Sequence, residues 1–135
     1  MLVLDASRTL AFCLDDERDA ACELTFARVE IEGAVAPSIW PLEVANGLKT
    51  AIRRGRIVSR DLPRIRSLLG DLGVEIDERS ATSVFGETLA LALEHDLTVY
   101  DAAYLDLAMR RGLPLATADS QLRTACQQAG VTLIG

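Results

Sequence analysis

The amino-acid sequence predicts an α/β fold with a central, mainly parallel sheet of about five strands flanked by about seven helices. Short apolar runs alternate with longer segments in which apolar residues recur at helical spacing. Four glycines, Gly33, Gly73, Gly112 and Gly130, each stand between such a helical segment and the apolar run that follows it. Glycine there permits the left-handed geometry that closes a helix. Helix followed by strand, repeated, is typical of parallel α/β folds.

Length and composition indicate one globular domain over residues 1–135. Half of the residues are apolar and 25% are charged, which excludes ordinary disorder. No apolar run approaches the roughly 20 residues that a bilayer requires, so we expect no membrane association. Asp5 interrupts the apolar start, so we expect no export signal and a cytoplasmic protein. Its three cysteines, with no CxxC pair, are expected to be reduced core residues.

The first half of the chain predicts two strands and three helices. The run MLVL at residues 1–4 has the composition of a buried strand, and AVA at 34–36 predicts another. A helix between them is indicated by one apolar face: Ala20, Leu24, Ala27 and Ile31. Pro41 favours the start of the next helix. Ser59 is a candidate N-cap for a third, whose apolar stripe comprises Leu62, Ile65, Leu69 and Leu72.

The second half repeats the pattern. Strands are predicted at 74–76, 115–117 and 131–134. Ser80 is a candidate N-cap for a helix whose stripe includes Val84, Phe85, Leu89, Ala92 and Leu93. Asp101 is expected to open a further helix with Ala102, Leu105, Ala108 and Met109 facing inward, after an extended or turn segment at 97–100. The last helix carries Leu122, Ala125, Cys126 and Ala129.

Four acidic residues fall where predicted helices begin. Asp5 and Asp119 follow predicted strands, Asp101 opens a helix, and Glu43 lies in the first turn after Pro41. Each alone is explained by capping or by the helix dipole. Together they are notable, because strand-to-helix junctions of a parallel sheet meet at one edge, where ligands bind. Four crowded carboxylates repel one another, and a hard divalent cation with oxygen ligands would neutralise them.

Four stretches carry a family resemblance: VLDAS at 3–7, PSIWPLEVANGL at 37–48, LTVYDAAYL at 97–105 and LPLATAD at 113–119. In this order they resemble the PIN-domain ribonucleases, specifically the VapC-type toxins of bacterial toxin–antitoxin pairs. The resemblance extends from the first strand to the last. It implies a three-layer PIN-like fold with one acidic site and Mg²⁺ or Mn²⁺ as cofactor.

The resemblance also implies roles for individual residues. Asp5, Glu43, Asp101 and Asp119 become the catalytic acids of an endoribonuclease, and Asp5, Asp101 and Asp119 the metal ligands. Ser7, Asn46 and Thr117 become supporting residues. The implied partners are an RNA substrate, a cognate antitoxin that blocks the site, and a second copy of the toxin in a homodimer. Carboxylate-held metal would activate water without a histidine base, and the chain has only one histidine, His95.

Basic residues are concentrated in one segment. Residues 49–66 contain seven bases and one acid, although the net charge of the chain is −6. Arg53, Arg54 and Arg56 are therefore weak candidates for RNA phosphate contacts, against the alternative of a solvated helix face. Arg8 departs from the family pattern, which leads us to expect a small apolar residue there. It is a further weak candidate for RNA binding.

Other functions are less well supported. A phosphate-accepting receiver domain would need a lysine late in the chain, and none follows Lys49. A phosphatase with an aspartyl nucleophile would need a second aspartate at position 7, where Ser7 stands. The remaining alternative is a PIN-like module that binds RNA or a protein without cutting. Of the remaining residues, Trp40 is expected to be a packing anchor, and Asp106 is expected to lie outside the site.

Overall fold

One parallel sheet of four strands forms the centre of the molecule. The computed structural model describes all 135 residues. Strands β1 (Leu2–Leu4), β2 (Ala34–Pro37), β3 (Glu75–Asp77) and β4 (Leu115–Ala116) lie in the order β3-β2-β1-β4, and all neighbours are parallel. The fifth predicted strand is reduced to one parallel bridge between Leu115 and Leu133. The predicted α/β class is confirmed.

Seven helices flank the sheet. They are α1 (Ala6–Cys13), α2 (Ala20–Glu32), α3 (Trp40–Arg53), α4 (Leu62–Asp71), α5 (Ala81–Ser83 continued by Val84–Thr88 and Leu89–His95), α6 (Val99–Arg111) and α7 (Ser120–Ala129). The middle part of α5, Val84–Thr88, is a π-helical turn. None of the helices is long and apolar enough to cross a membrane.

The core explains why strands β1, β2 and β4 contain no polar residues, whereas the edge strand β3 carries Glu75 and Asp77. Leu2, Val3 and Leu4 of β1 are fully buried, as expected for a parallel strand covered by helices on both faces. Helix α6 lies against β1, β2 and β4 and buries Tyr104 and Leu105 completely. The three cysteines are buried and free of disulfides, as predicted.

The four glycines that end helices all have positive φ. The angle lies between 58° and 82° at Gly33, Gly73, Gly112 and Gly130, a range that residues with a side chain rarely adopt. Gly112 and Gly130 have the predicted left-handed conformation, whereas Gly33, with ψ of 168°, does not. A fifth glycine has a different role. A Cβ at Gly47 of α3 would lie 2.3 Å from Leu10 Cδ1 of α1. Its small size therefore allows α1 and α3, which follow β1 and β2, to pack closely.

Three predicted apolar faces are wrong in part. Ala20, Leu24, Ala27 and Ile31 share one face of α2, but that face is exposed, with Ile31 85% accessible. The buried face consists of Cys22, Thr25, Phe26 and Val29. Phe85, Leu89 and Leu93 of α5 and Met109 of α6 are also exposed. Both sides of α2 carry apolar residues, so periodicity alone does not say which side faces the core.

Two helix starts differ from the prediction. Helix α6 begins at Val99, two residues before Asp101, because Thr98 Oγ1 accepts a hydrogen bond from Asp101 N at 3.1 Å and caps the helix. The predicted cap at Ser59 is not formed. Instead, Asp61 Oδ2 accepts a hydrogen bond from Val58 N at 3.0 Å before α4. Ser80 does cap α5, through Ser83 N.

Candidate active site

Two aspartates lie at the carboxyl edge of neighbouring strands. Asp5 directly follows β1 and is the N-cap residue of α1, and Asp119 follows β4 and is the N-cap residue of α7. Because β1 and β4 are adjacent and parallel, both residues stand at the same edge of the sheet. Asp119 Oδ1 accepts a hydrogen bond from Leu122 N at 2.9 Å, whereas the Asp5 side chain makes no cap bond to its helix.

Asp5 is a buried carboxylate held by two hydroxyls. Ser7 Oγ and Thr117 Oγ1 each donate a hydrogen bond to Asp5 Oδ2 at 2.6 Å. Burial raises the pKa of Asp5, the charge of Asp119 raises it further, and the two hydroxyl bonds partly oppose this. Both bonds fall on Oδ2, which leaves Oδ1 free of side-chain partners.

The two hydroxyls also organise the chain around Asp119. Ser7 Oγ accepts a hydrogen bond from Ala118 N at 2.9 Å, and Thr117 Oγ1 accepts one from Asp119 N at 3.0 Å. One network therefore fixes Asp5 and Asp119 relative to each other. The structure brings Ser7 and Thr117, the two polar residues predicted near these acids, into direct contact with Asp5.

Glu43 is held by a tyrosine from another helix. It lies in the first turn of α3, and Tyr104 Oη of α6 donates a hydrogen bond to Glu43 Oε1 at 2.7 Å. Burial raises the pKa of Glu43, with smaller contributions from the charges of Asp5 and Asp101, and the Tyr104 bond opposes them. Asn46, one turn further along α3, is exposed.

Asp101 lies in the first turn of α6 and is repelled by the charges of two other acids. Partial burial, followed by the charges of Asp119 and Asp5, raises the pKa of Asp101 from 3.8 to about 6. The four predicted acids thus form one electrostatic group, which we call the acid quartet: Asp5, Glu43, Asp101 and Asp119. Each of its raised pKa values includes repulsion from another member.

The acid quartet has the donor chemistry of a divalent-metal site. Its ligands are all carboxylate oxygens, which Mg²⁺ and Mn²⁺ prefer, and a cation would relieve the repulsion between them. The side chains do not form a closed cage, since no three Asp, Glu, His or Cys residues are grouped closely enough to hold an ion by themselves. A Mg²⁺ ion bound at these residues would therefore keep several waters and take few protein ligands directly.

Comparison with known proteins assigns the chain to a family. The PIN domain family matches residues 2–127. The chain belongs to the PIN-domain family. Ribonuclease VapC3 from Pyrobaculum aerophilum is 33% identical over 121 residues, which cover 90% of this chain and 91% of the relative. Ribonuclease VapC1 from Mycobacterium tuberculosis is 33% identical over 90 residues, covering 67% of this chain and 65% of the relative.

A solved structure supports the same fold. The crystal structure of PAE2754 from Pyrobaculum aerophilum superposes with a TM-score of 0.72 and 23% sequence identity, over 98% of this chain and 82% of that one. The likeness extends over nearly the whole PIN domain described here, including all four strands and seven helices.

Arg8 of this PIN domain is hydrogen-bonded to the backbone that carries a site residue. Its side chain is buried, Nη2 donates a hydrogen bond to the Thr117 carbonyl at 3.1 Å, and Nη1 lies 3.6 Å from Asp19 Oδ1. Arg123 Nη1 donates to the same carbonyl at 3.1 Å. Because its guanidinium is committed to the backbone that carries Thr117, this position favours a supporting role for Arg8, and its contact with RNA stays a prediction.

The other basic candidates differ among themselves. Arg53 and Arg54, at the end of α3, are exposed and form no ion pair. Arg56 is paired with the acidic turn before α2, at 2.9 Å to Asp16 and 3.1 Å to Glu17. Any RNA contact by Arg56 would therefore compete with these two carboxylates.

Residues outside the acid quartet agree with their predicted roles. Trp40 is buried, and its Nε1 donates a hydrogen bond to Thr9 Oγ1 at 3.0 Å, as expected of a packing anchor. Asp106 is buried away from the quartet and pairs with Arg79 and Arg110 at 3.1 and 3.0 Å.

Sequence reasoning assigned no role to Tyr104, Thr98 or Arg123. Tyr104 holds Glu43, Thr98 holds the backbone of Asp101, and Arg123 holds that of Thr117. Tyr104 lies three residues after Asp101 on the same helix. That spacing placed it near the site, but nothing in the sequence indicated its contact with Glu43.

Proposed function

We propose that this PIN domain is a metal-dependent endoribonuclease, the toxin of a VapC-type toxin–antitoxin pair. The observation that carries the proposal is the buried Asp5 at the edge of the sheet, whose carboxylate is fixed by two hydroxyls and whose pKa is raised in part by the charge of Asp119. Two relatives at 33% identity that carry the name ribonuclease support it.

In this proposal Asp5, Asp101 and Asp119 hold Mg²⁺ or Mn²⁺, directly or through water, and Glu43 completes the site or orients the attacking water. When bound, the metal lowers the pKa of its water and neutralises charge on the phosphate. Ser7 and Thr117 fix the direction of the Asp5 carboxylate. Tyr104 fixes Glu43 through Oε1, which leaves Oε2 to accept a proton from water. Asn46 would contact substrate from the exposed side of α3.

RNA and protein partners follow from the same proposal. Arg53 and Arg54 are free to contact RNA phosphates. Phosphate contacts are local, so a protein with a negative net charge can still make them through a basic patch. The exposed apolar face of α2 suits a protein partner, either the antitoxin or a second copy of the chain. Such a toxin would act in the cytoplasm, where its RNA target is.

The proposal is tested by incubating purified, antitoxin-free protein with a pool of structured RNAs. Parallel reactions contain Mg²⁺, Mn²⁺ or EDTA, and a matched set uses Asp5→Asn. We expect cleavage with either metal, no cleavage in EDTA, and none by the folded variant. Growth arrest on expression should likewise disappear with Asp5→Asn.

The alternative function is a module that binds RNA or a protein without cutting. It would be favoured by a wild-type protein that binds RNA but neither binds Mg²⁺ nor cleaves any RNA of the pool. The intact acid quartet argues against this alternative, because losing a single acid would be enough to inactivate the site.

A further inference from the structure

We propose that a small cavity beside the acid quartet binds one nucleobase of the RNA substrate; this inference rests on the proposed nuclease function. The cavity has a volume of about 180 Å³ and lies between the ends of β2 and β3, the π-helical turn of α5 and the first turns of α6. None of its lining residues belongs to the acid quartet.

The position of the cavity links it to the quartet. Ile39, one of its walls, accepts a backbone hydrogen bond from Glu43 N at 3.0 Å. Tyr100, another wall, directly precedes Asp101. A nucleotide whose phosphate lies at the acids therefore has this cavity within reach of its own base or of the neighbouring one.

The size of the cavity fits a single ring system. At about 180 Å³ it is far larger than the roughly 30 Å³ that one water occupies. It is smaller than the roughly 300–1,000 Å³ of sites for drug-sized ligands. Ile39, Val84 and Val99 form apolar walls, and Tyr100 is 59% exposed. An exposed aromatic ring on an apolar wall is a platform on which bases stack.

One residue that lines the cavity has an unmatched polar atom. Thr88 Oγ1 is buried and has no hydrogen-bond partner. Buried polar groups are nearly always paired in proteins. The edge of a nucleobase carries both donors and acceptors, and a threonine hydroxyl can match either. Since the Thr88 hydroxyl is itself buried, the side chain would rotate toward the cavity to meet the base.

Charge favours a base over a phosphate. The two arginines that line the cavity are already neutralised, Arg79 by Glu87 and Asp106, and Arg110 by Asp77 at 2.8 Å and Asp106 at 3.0 Å. An anion would find no free positive charge here. The π-helical turn that carries Val84 and Thr88 is also a rare feature, found frequently at functional sites.

The test is nucleotide binding by the metal-free wild-type protein, observed through the methyl NMR signals of Val84 and Val99. The probes are AMP, GMP, CMP and UMP, with ribose 5-phosphate as the control that lacks a base. We expect at least one nucleotide to shift both signals at millimolar concentration and ribose 5-phosphate to leave them unchanged. Equal shifts from ribose 5-phosphate, or no shift from any nucleotide, would overturn the proposal.

Two variants test the specific contacts. Thr88→Val keeps the side-chain shape. It should lower the affinity for the preferred nucleotide at least threefold or change which nucleotide binds best. Tyr100→Ala should lower the affinity for every nucleotide that binds, whereas Tyr100→Phe, which keeps the aromatic ring, should not. Phe85→Ala, on the exposed side of the same π-helical turn, is the matched control. A more stable Thr88→Val protein with unchanged nucleotide binding would remove the hydroxyl from the base contacts, and unchanged binding by both Thr88→Val and Tyr100→Ala would overturn the proposed base site.

The two proposals fail separately. Nucleotide binding at Val84 and Val99 without cleavage of any RNA would remove the nuclease function and keep the base site. RNA cleavage by a protein whose cavity binds no nucleotide would keep the nuclease and remove the base site.

Discussion

Thr117 Oγ1 donates a hydrogen bond to Asp5 Oδ2 at 2.6 Å, although the two residues are 112 positions apart in the chain. Thr117 directly follows β4, and Asp5 directly follows β1. The bond is possible because these strands are parallel neighbours with Leu4 opposite Ala116. Sheet register therefore determines how the buried carboxylate of the site is oriented.

Replacing Thr117 by valine tests this bond. The variant keeps the side-chain shape but removes one donor to Asp5 and the acceptor for Asp119 N. We expect a loss of about 1–2 kcal/mol in the free energy of unfolding and a roughly 10–100-fold lower cleavage rate, as for other residues that orient metal ligands. Thr124→Val, on the exposed side of α7, is the control. Unchanged cleavage by Thr117→Val would show that the bond does not position Asp5.

Asp101→Asn should make the metal-free protein more stable at neutral pH. The folded-state pKa of Asp101 is raised from 3.8 to about 6, so its contribution to stability is present below about pH 3.8 and is lost as pH rises through 6. After allowance for solvent screening, we expect a gain of about 1–2 kcal/mol at pH 7 that shrinks toward pH 4. Urea denaturation at pH 7 and at pH 4 measures this gain in the free energy of unfolding. Asp71→Asn, at an exposed position, is the control.

Metal should reverse this effect. Because Mg²⁺ binds the folded protein, it should raise the melting temperature of the wild type at pH 7, and less at pH 5, where protons compete for Asp101. Asp101→Asn should show little response at either pH. If Mg²⁺ left the melting temperature of the wild type unchanged at pH 7, that result would count against a metal site at the acid quartet.

Arg8→Met separates support of the backbone from RNA contact. The guanidinium is buried and bonded to the Thr117 carbonyl, so we expect cleavage to fall about 10-fold while RNA affinity, measured in an Asp5→Asn background, stays unchanged. Arg28→Met removes an exposed arginine paired with Glu32 and serves as control. Weaker RNA binding by Arg8→Met would instead indicate that Arg8 contacts RNA directly.

Charge reversal at Arg53 and Arg54 tests the RNA-binding surface. If each arginine meets one phosphate, Arg53→Glu with Arg54→Glu should weaken binding of every RNA and lower the slope of log affinity against log salt by about 1 per lost contact. Filter binding at several salt concentrations measures both. An unchanged slope would mean that this segment is simply a solvated helix face.

The sequence was sufficient to predict the parallel sheet and the residues at its edge. Strand composition, helix-closing glycines and acids at helix starts are local signals, and each can be read within about ten residues. Asp5, Glu43, Asp101 and Asp119 all stand at predicted helix starts, and the topology of a parallel sheet predicts that such positions meet at one edge. The family resemblance adds to this the roles of catalytic acids and metal ligands.

Contacts between distant elements could not be predicted in the same way. The bond between Tyr104 and Glu43 joins α6 to α3 and depends on how the two helices pack. The buried face of α2 was also hidden, because Leu24 and Ile31 are as apolar as Phe26 and Val29 on the opposite side. The direction of the Arg8 side chain was likewise open from the sequence, because its hydrogen bond to the Thr117 carbonyl joins residues more than 100 positions apart.

The most direct test of the central claim is the rate of RNA cleavage as Mg²⁺ is titrated into the wild type, Asp5→Asn and Asp106→Asn. Asp5 and Asp106 are both buried aspartates, but only Asp5 belongs to the acid quartet. We expect cleavage to rise to saturation with Mg²⁺ in the wild type and in folded Asp106→Asn, and to be absent at every concentration in Asp5→Asn. Full activity of Asp5→Asn, or cleavage by the wild type without metal, would contradict the assignment of the acid quartet as the active site.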